Sequence, residues 1–371
     1  MLANIVVALV GLFLVIITLR DVFVAAIVPR PATPLLRPSA LAFQLMWKFW
    51  KHVANRQRRP ERRETILSIF GPFGVIALLA LWVVLLVFGF GIVLFALRSQ
   101  LSPQPMSFWS TIYFAGTSFL TIGFGDIVGR SGLARLISLT AGASGLGVVA
   151  VVTSYLFSLI GSFQGREAFV VGIGARAGVP PSGLGLLVLA GENDVRDSLA
   201  VTLREGQKWT ATLMETSLAY PVITYFRSSH DDESWIATLG TLLDASALLI
   251  ATAREKRHGE ARFMYTLGVH AVTDLAHYFG LPIAGGVGID RAEFDNALSQ
   301  LSQAGFDLDD ADSSWAVFSD LRTAYARALN ALARHFEIPP VAWVSDRSLI
   351  GHGRIDIDAA MLRTNGASAE S

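Results

Sequence analysis

The sequence predicts an all-α membrane protein: an N-terminal membrane helix, a module in which two further spans flank a short helix that does not cross, and a helical cytoplasmic domain. Three observations carry this reading. Hydrophobic residues make up 52% of the 371 and mean hydropathy is +0.49, more apolar than ordinary soluble chains. Three apolar runs are each long enough to cross a bilayer, which takes roughly 20 residues as a helix because backbone groups in lipid must satisfy one another. The C-terminal half then turns polar and acidic, with 17 Lys/Arg against 26 Asp/Glu in residues 165–371.

Composition also sets limits. The 30 basic and 30 acidic residues balance, so nothing favours nucleic acid as a partner. Cysteine is absent, which excludes a disulfide framework, a thiolate nucleophile and a Cys-ligated metal. No coherent set of acid, base and nucleophile stands out and no cofactor is implied, so the chain reads as a non-enzyme.

Residues 1–27 hold the first span, with Ala3 to Leu19 as its apolar centre. Val24-Ala25-Ala26 faintly resembles a signal-peptide cleavage site, but the basic region such a peptide carries is missing. The span lacks regularly spaced Arg, which argues against a voltage sensor. Residues 28–64 form a basic loop. From 20 to 64 there are ten Lys/Arg against three Asp/Glu, among them Arg56, Arg58, Arg59, Arg62 and Arg63. The positive-inside bias makes this loop cytoplasmic. The amino terminus then lies outside a plasma or inner cell membrane, and the C-terminal domain lies within the cell. Inside the loop, Leu41 to Val53 mixes Phe43, Met46, Trp47, Phe49 and Trp50 with Lys48 and Lys51. That composition suits either a helix in the headgroup region or a linker helix covered by its own protein.

Residues 65–164 contain the second span, Ile66 to Leu97, and the third, Leu133 to Phe163. The stretch between them, Ser99 to Arg130, is too short and too polar to cross. Ser107 is a good N-cap for a helix over Phe108 to Leu120. The string Thr121-Ile122-Gly123-Phe124-Gly125-Asp126 follows. Irregular backbone at membrane depth is tolerated only where protein buries it or where it lines a watery path. A pore that strips water from a cation must replace it with oxygen dipoles, and inward backbone carbonyls supply them. Gly123 and Gly125 accept positive φ without steric cost, so successive carbonyls can face one axis. Thr121, Ile122, Gly123 and Phe124 would provide those carbonyls, with Asp126 near the outer mouth.

The string TIGFGD resembles the potassium-channel signature, commonly written TVGYG followed by Asp. The order of span, pore helix, filter and span is similar to that family's pore module over Ile66 to Ile160. The resemblance implies that Thr121 to Gly125 form a selectivity filter with Asp126 as its outer acid. It also implies K+ as the permeant ion and, since this chain holds one copy of the filter, a homotetramer in a lipid bilayer. Two departures stand out. The usual filter Tyr is Phe124, and the pore-helix aromatic pair, often two Trp, is matched by Tyr113 and Phe114. Together they remove both partners of a filter-bracing hydrogen bond, which can be nearly neutral where losing one would be costly. A pore-helix acid of some relatives is Thr117, which leaves Asp126 without that partner.

In the third span Gly142, Gly145 and Gly147 fall close together. Gly145, nineteen residues after Asp126, occupies the place of the family's gating hinge by resemblance, while close helix packing through small residues is the alternative. Leu146, Val149 and Thr153 follow at helical spacing as cavity-lining candidates.

Residues 165–357 read as a helical regulatory domain, and 358–371 as a disordered tail. Trp235, Leu239, Leu242, Ser246, Leu249 and Ala253 keep helical period, as do Trp315, Phe318, Tyr325, Leu329, Leu332 and Phe336, and both stripes read as core. Gly172-Ile173-Gly174 with Gly178 misses the dinucleotide-binding spacing. The stretch Arg176 to Gly183 reads instead as a turn-rich linker. His270, Asp274 and His277 share a helical face in a spacing compatible with a divalent metal, although no fourth ligand is in view. Asp307, Asp309, Asp310 and Asp312 lack the Gly and terminal Glu of a calcium loop and suit a helix cap better. The overall expectation is a channel subunit gated by its cytoplasmic domain through an unidentified signal, with an unknown cytosolic ligand as a candidate partner. A non-conducting membrane-anchored sensor or scaffold is the alternative.

Overall fold

The computed structural model describes residues 2–28, 37–178, 180–228, 233–254, 258–284 and 289–338. The expected tail lies outside them. Among the described residues the chain is helical apart from one two-stranded ribbon. It forms two compact units: residues 2–165 with Glu215–Arg227, and Arg166–Met214 with residues 228–338.

In the first unit, helix α1 (Leu2–Ala26) lies against α3 (Pro60–Ala96). The two backbones approach so closely that a Cβ on Gly11 would lie 2.8 Å from the Gly89 carbonyl oxygen. Near the end of α1 the Asp21 carboxylate is fully buried. It is saturated by donors, accepting from Ser39 N at 2.9 Å, Ser39 Oγ at 2.8 Å and Trp82 Nε1 at 3.1 Å. Such pairing offsets the cost of a buried charge. Residues of the basic loop form α2 (Pro38–Asn55), whose Phe43 and Trp47 bury themselves against Phe70 of α3. The Trp50 indole donates to the Ile66 carbonyl at 2.7 Å. Leu41, Leu45 and Phe49 remain exposed on the opposite face.

After α3 come strand β1 (Leu101–Ser102), helix α4 (Phe108–Phe119), strand β2 (Val128–Gly129) and helix α5 (Gly132–Ala177). Both α3 and α5 continue past the apolar runs that mark them in the sequence. At 37 and 46 residues they are about 55 and 69 Å long, well beyond a bilayer core of about 30 Å. The backbone ladder continues through polar residues because its hydrogen bonds do not depend on hydropathy. Gly172 and Gly174 fall inside α5, so they cannot form a phosphate loop.

The second unit is built around α8 (Trp235–Thr252), with α6 (Gly183–Glu192), α9 (Gly259–Tyr278) and α11 (Ala311–Phe336) packed on it. Helices α7 (Leu199–Ala219) and α10 (Arg291–Gln303) complete the order. Like α1, α3 and α5, α8 is long and apolar enough to cross a membrane, yet 94% of its apolar window is enclosed, against 11% for α5. It is a core helix. Both expected stripes lie in this core, with Trp235, Leu239, Leu242, Phe318, Tyr325 and Leu332 all buried. Asp244 on α8 accepts from Arg322 and from the Tyr325 hydroxyl on α11, a buried polar tie between the two helices.

Candidate functional site

The site is assembled on α4. Its N-cap is Ser107, whose Oγ accepts from Ser110 N at 3.2 Å. Phe114, Ala115 and Phe119 of α4 pack with Leu86, Phe90 and Leu94 of α3 and with Ala141 and Val148 of α5 in one buried cluster. The helix is thus fixed between its two long neighbours before the Thr121–Asp126 segment begins. The last turn then holds the start of that segment. Thr117 O accepts from both Ile122 N at 2.8 Å and Gly123 N at 3.2 Å, and Ser118 O accepts from Thr121 N at 3.1 Å.

From there the backbone alternates. Thr121, Gly123 and Gly125 all have positive φ, at 57°, 60° and 79°. Ordinary extended chain points successive carbonyls to opposite sides; a left-handed residue at every second position permits them to share one side. A Cβ at Gly123 or Gly125 would meet nothing within 4 Å, so glycine is required there for its φ and not for space. Thr121 adopts the same region with a side chain, at a cost of roughly 1–2 kcal/mol. Residues 121–126 are all exposed on the single chain, Ile122 by 52% and Phe124 by 67%.

Phe124 has a partner that the sequence reading missed. The Tyr113 ring of α4 stacks on Phe124, 6.3 Å between centroids at an interplanar angle of 4°. At the base of the loop, β1 pairs antiparallel with β2, Leu101 opposite Gly129. Arg130 N adds a hydrogen bond to Gln100 O at 2.8 Å. The entry and exit of the loop are thereby tied together.

Gly145 of α5 is buried against the end of α4, where a Cβ would lie 1.8 Å from the Phe119 carbonyl oxygen. At Gly142 the nearest such atom is Ser118 O, at 3.3 Å, and at Gly147 the space is open. Close approach of two helices thus accounts for glycine at position 145. Leu146, Val149 and Thr153 all lie on the exposed side of α5, with the Thr153 hydroxyl turned back to donate to Val149 O at 2.8 Å.

The remaining candidates lie in the second unit. His270 Nε2 and Asp274 stand 3.5 Å apart on α9. Among the described residues, however, no three His, Asp or Glu are grouped to hold a metal, and His277 does not complete such a set. Asp310 is the N-cap of α11, accepting from Asp312 N and Ser313 N. Asp307 and Asp309 instead pair with Arg254, at 3.1 and 3.6 Å.

Comparison with known proteins bears on the first unit. The family model described as "Ion channel" matches residues 81–162, which include the C-terminal part of α3, α4, the Thr121–Asp126 segment and the first two thirds of α5. An uncharacterized membrane protein of Bacillus subtilis (strain 168), YdjJ, is 23% identical over 150 residues. The match covers 40% of this chain and 43% of that protein, less than half the length of either. No solved structure matches.

Proposed function

With residues 81–162 forming an ion channel domain in a multi-pass membrane protein, we propose that this channel passes K+ selectively and passively, through a filter made of Thr121, Ile122, Gly123, Phe124 and Gly125 with Asp126 at its outer mouth. The observation that carries the proposal is the alternation of positive φ at Thr121, Gly123 and Gly125. It is the backbone pattern that lets carbonyl oxygens replace the water around a dehydrated cation. One such segment covers one side of an ion. The exposure of residues 121–126 and of Leu146, Val149 and Thr153 supports a homotetramer in which these surfaces surround a common axis.

The orientation proposed from the basic loop places the amino terminus outside and residues 166–338 in the cytoplasm. That domain sets the open probability in response to a cytosolic signal. Gly145 is the proposed hinge.

The test is K+ flux into liposomes containing the purified protein, together with reversal potentials under a K+/Na+ gradient. Wild type should carry K+ in preference to Na+, and Thr121→Ala or Gly123→Ala should reduce that preference about tenfold or more, the loss of roughly 1.4 kcal/mol of differential binding. Flux that is absent in wild type and unaltered by either substitution would return the protein to a non-conducting membrane anchor.

A further inference from the structure

The chain leaves the first unit after Gly165 and re-enters it as Glu215–Arg227 before leaving again. A mere connector would be polar and exposed, since loops run over surfaces where water satisfies their backbone. This one is not. Val222, Ile223, Thr224 and Tyr225 are all buried in a short 3-10 turn over Pro221–Tyr225. The Tyr225 ring sits among three others, 5.0 Å from Phe43 and from Trp47 of α2 and 5.5 Å from Phe70 of α3. The adjacent Phe226 lies 5.4 Å from Phe163 of α5 and so close to α3 that a Cβ on Gly71 would meet its ring at 2.7 Å. Tyr220 packs on Tyr155 of α5 at 5.5 Å, and Arg227 pairs with Glu64 of α3 at 3.3 Å. One eight-residue segment therefore engages the basic-loop helix and both long helices that flank α4.

We propose that residues 220–227 are the coupling element of this channel, with Tyr225 and Phe226 as positioning residues that transmit rearrangements of the C-terminal domain to α2, α3 and α5. This rests on the channel reading and specifies how its open probability is regulated. Both ends of the segment are covalently joined to the second unit. Displacement of Met214 or Ser228 is thus delivered to the pore helices through the backbone itself. Close-packed aromatic clusters repack between discrete arrangements and do not deform continuously, so a small displacement can select between two positions of α3 and α5. The proposed filter is held separately, by the hydrogen bonds to Thr117 O and Ser118 O and by the stacking of Tyr113 on Phe124. The coupling therefore acts on opening and leaves ion selection alone.

Single-channel recording of the full-length protein in planar bilayers tests this, with Tyr225→Ala, Phe226→Ala and the conservative Tyr225→Phe. Both alanine variants should change open probability at least about tenfold, within the usual range of coupling between sites. Unit conductance and the K+/Na+ reversal potential should stay at wild-type values, and Tyr225→Phe should behave as wild type. Amide hydrogen exchange in residues 38–55 should rise in Tyr225→Ala and not in Tyr225→Phe, a readout independent of current. Open probability within twofold of wild type in both alanine variants, in protein of wild-type oligomeric state, would overturn the inference. So would conductance or selectivity changing together with open probability, which marks a support of the pore and not a coupling element. Wild-type protein without current removes the channel reading and the gating role with it, whereas unchanged hydrogen exchange removes the docking alone.

Discussion

Gly145 shows what a single residue contributes when two backbones meet. A methyl group placed there would lie 1.8 Å from the Phe119 carbonyl, and because the clashing atom is backbone, no rotamer change relieves it. Gly145→Ala should destabilise the protein by about 3 kcal/mol, the upper part of the usual overpacking range, and should reduce K+ over Na+ selectivity because Phe119 lies next to the filter. Gly147→Ala, in open space within this chain, should melt close to wild type. Thermal unfolding in detergent and reversal potentials measure the pair. The Thr121–Asp126 segment was legible in the sequence because it is one contiguous string with a demanding backbone. The stacking of Tyr113 on Phe124 was not, since it joins residues whose proximity depends on how α4 turns back into that segment.

Elements follow the same division. Hydropathy located the apolar parts of α1, α3 and α5, yet it did not reveal that α3 starts at Pro60 or that α5 continues to Ala177. It also cannot distinguish a helix solvated by lipid from one solvated by protein, and α8 is the case in point. Its apolar sequence is interrupted by Asp244, which Arg322 and Tyr325 of α11 satisfy. Asp244→Ala would leave the Arg322 guanidinium buried without its counter-ion and should cost about 3–5 kcal/mol. Denaturation of the full chain should show this as a lower unfolding midpoint. Wild-type stability in Asp244→Ala would mean that the α8–α11 tie contributes little to the fold.

For the whole molecule, the proposed filter has meaning only in an assembly, since one copy leaves residues 121–126 exposed. Purified protein in mild detergent should have a protein mass four times the 40.0 kDa of the chain, measured by light scattering with the detergent subtracted; a monomer would be incompatible with carbonyls surrounding an ion. The sequence by itself determined the membrane class, the three apolar spans, the non-crossing α4 and the string at its end. Those properties depend on local composition and on neighbours a few residues apart, which chain order preserves. Only the tertiary structure decided that Tyr113 stacks on Phe124, that Gly145 faces Phe119, that α8 is enclosed and that residues 220–227 return to the first unit. Each depends on groups distant along the chain being brought within a few ångströms, and the packing that does so leaves no periodic or compositional trace in the sequence.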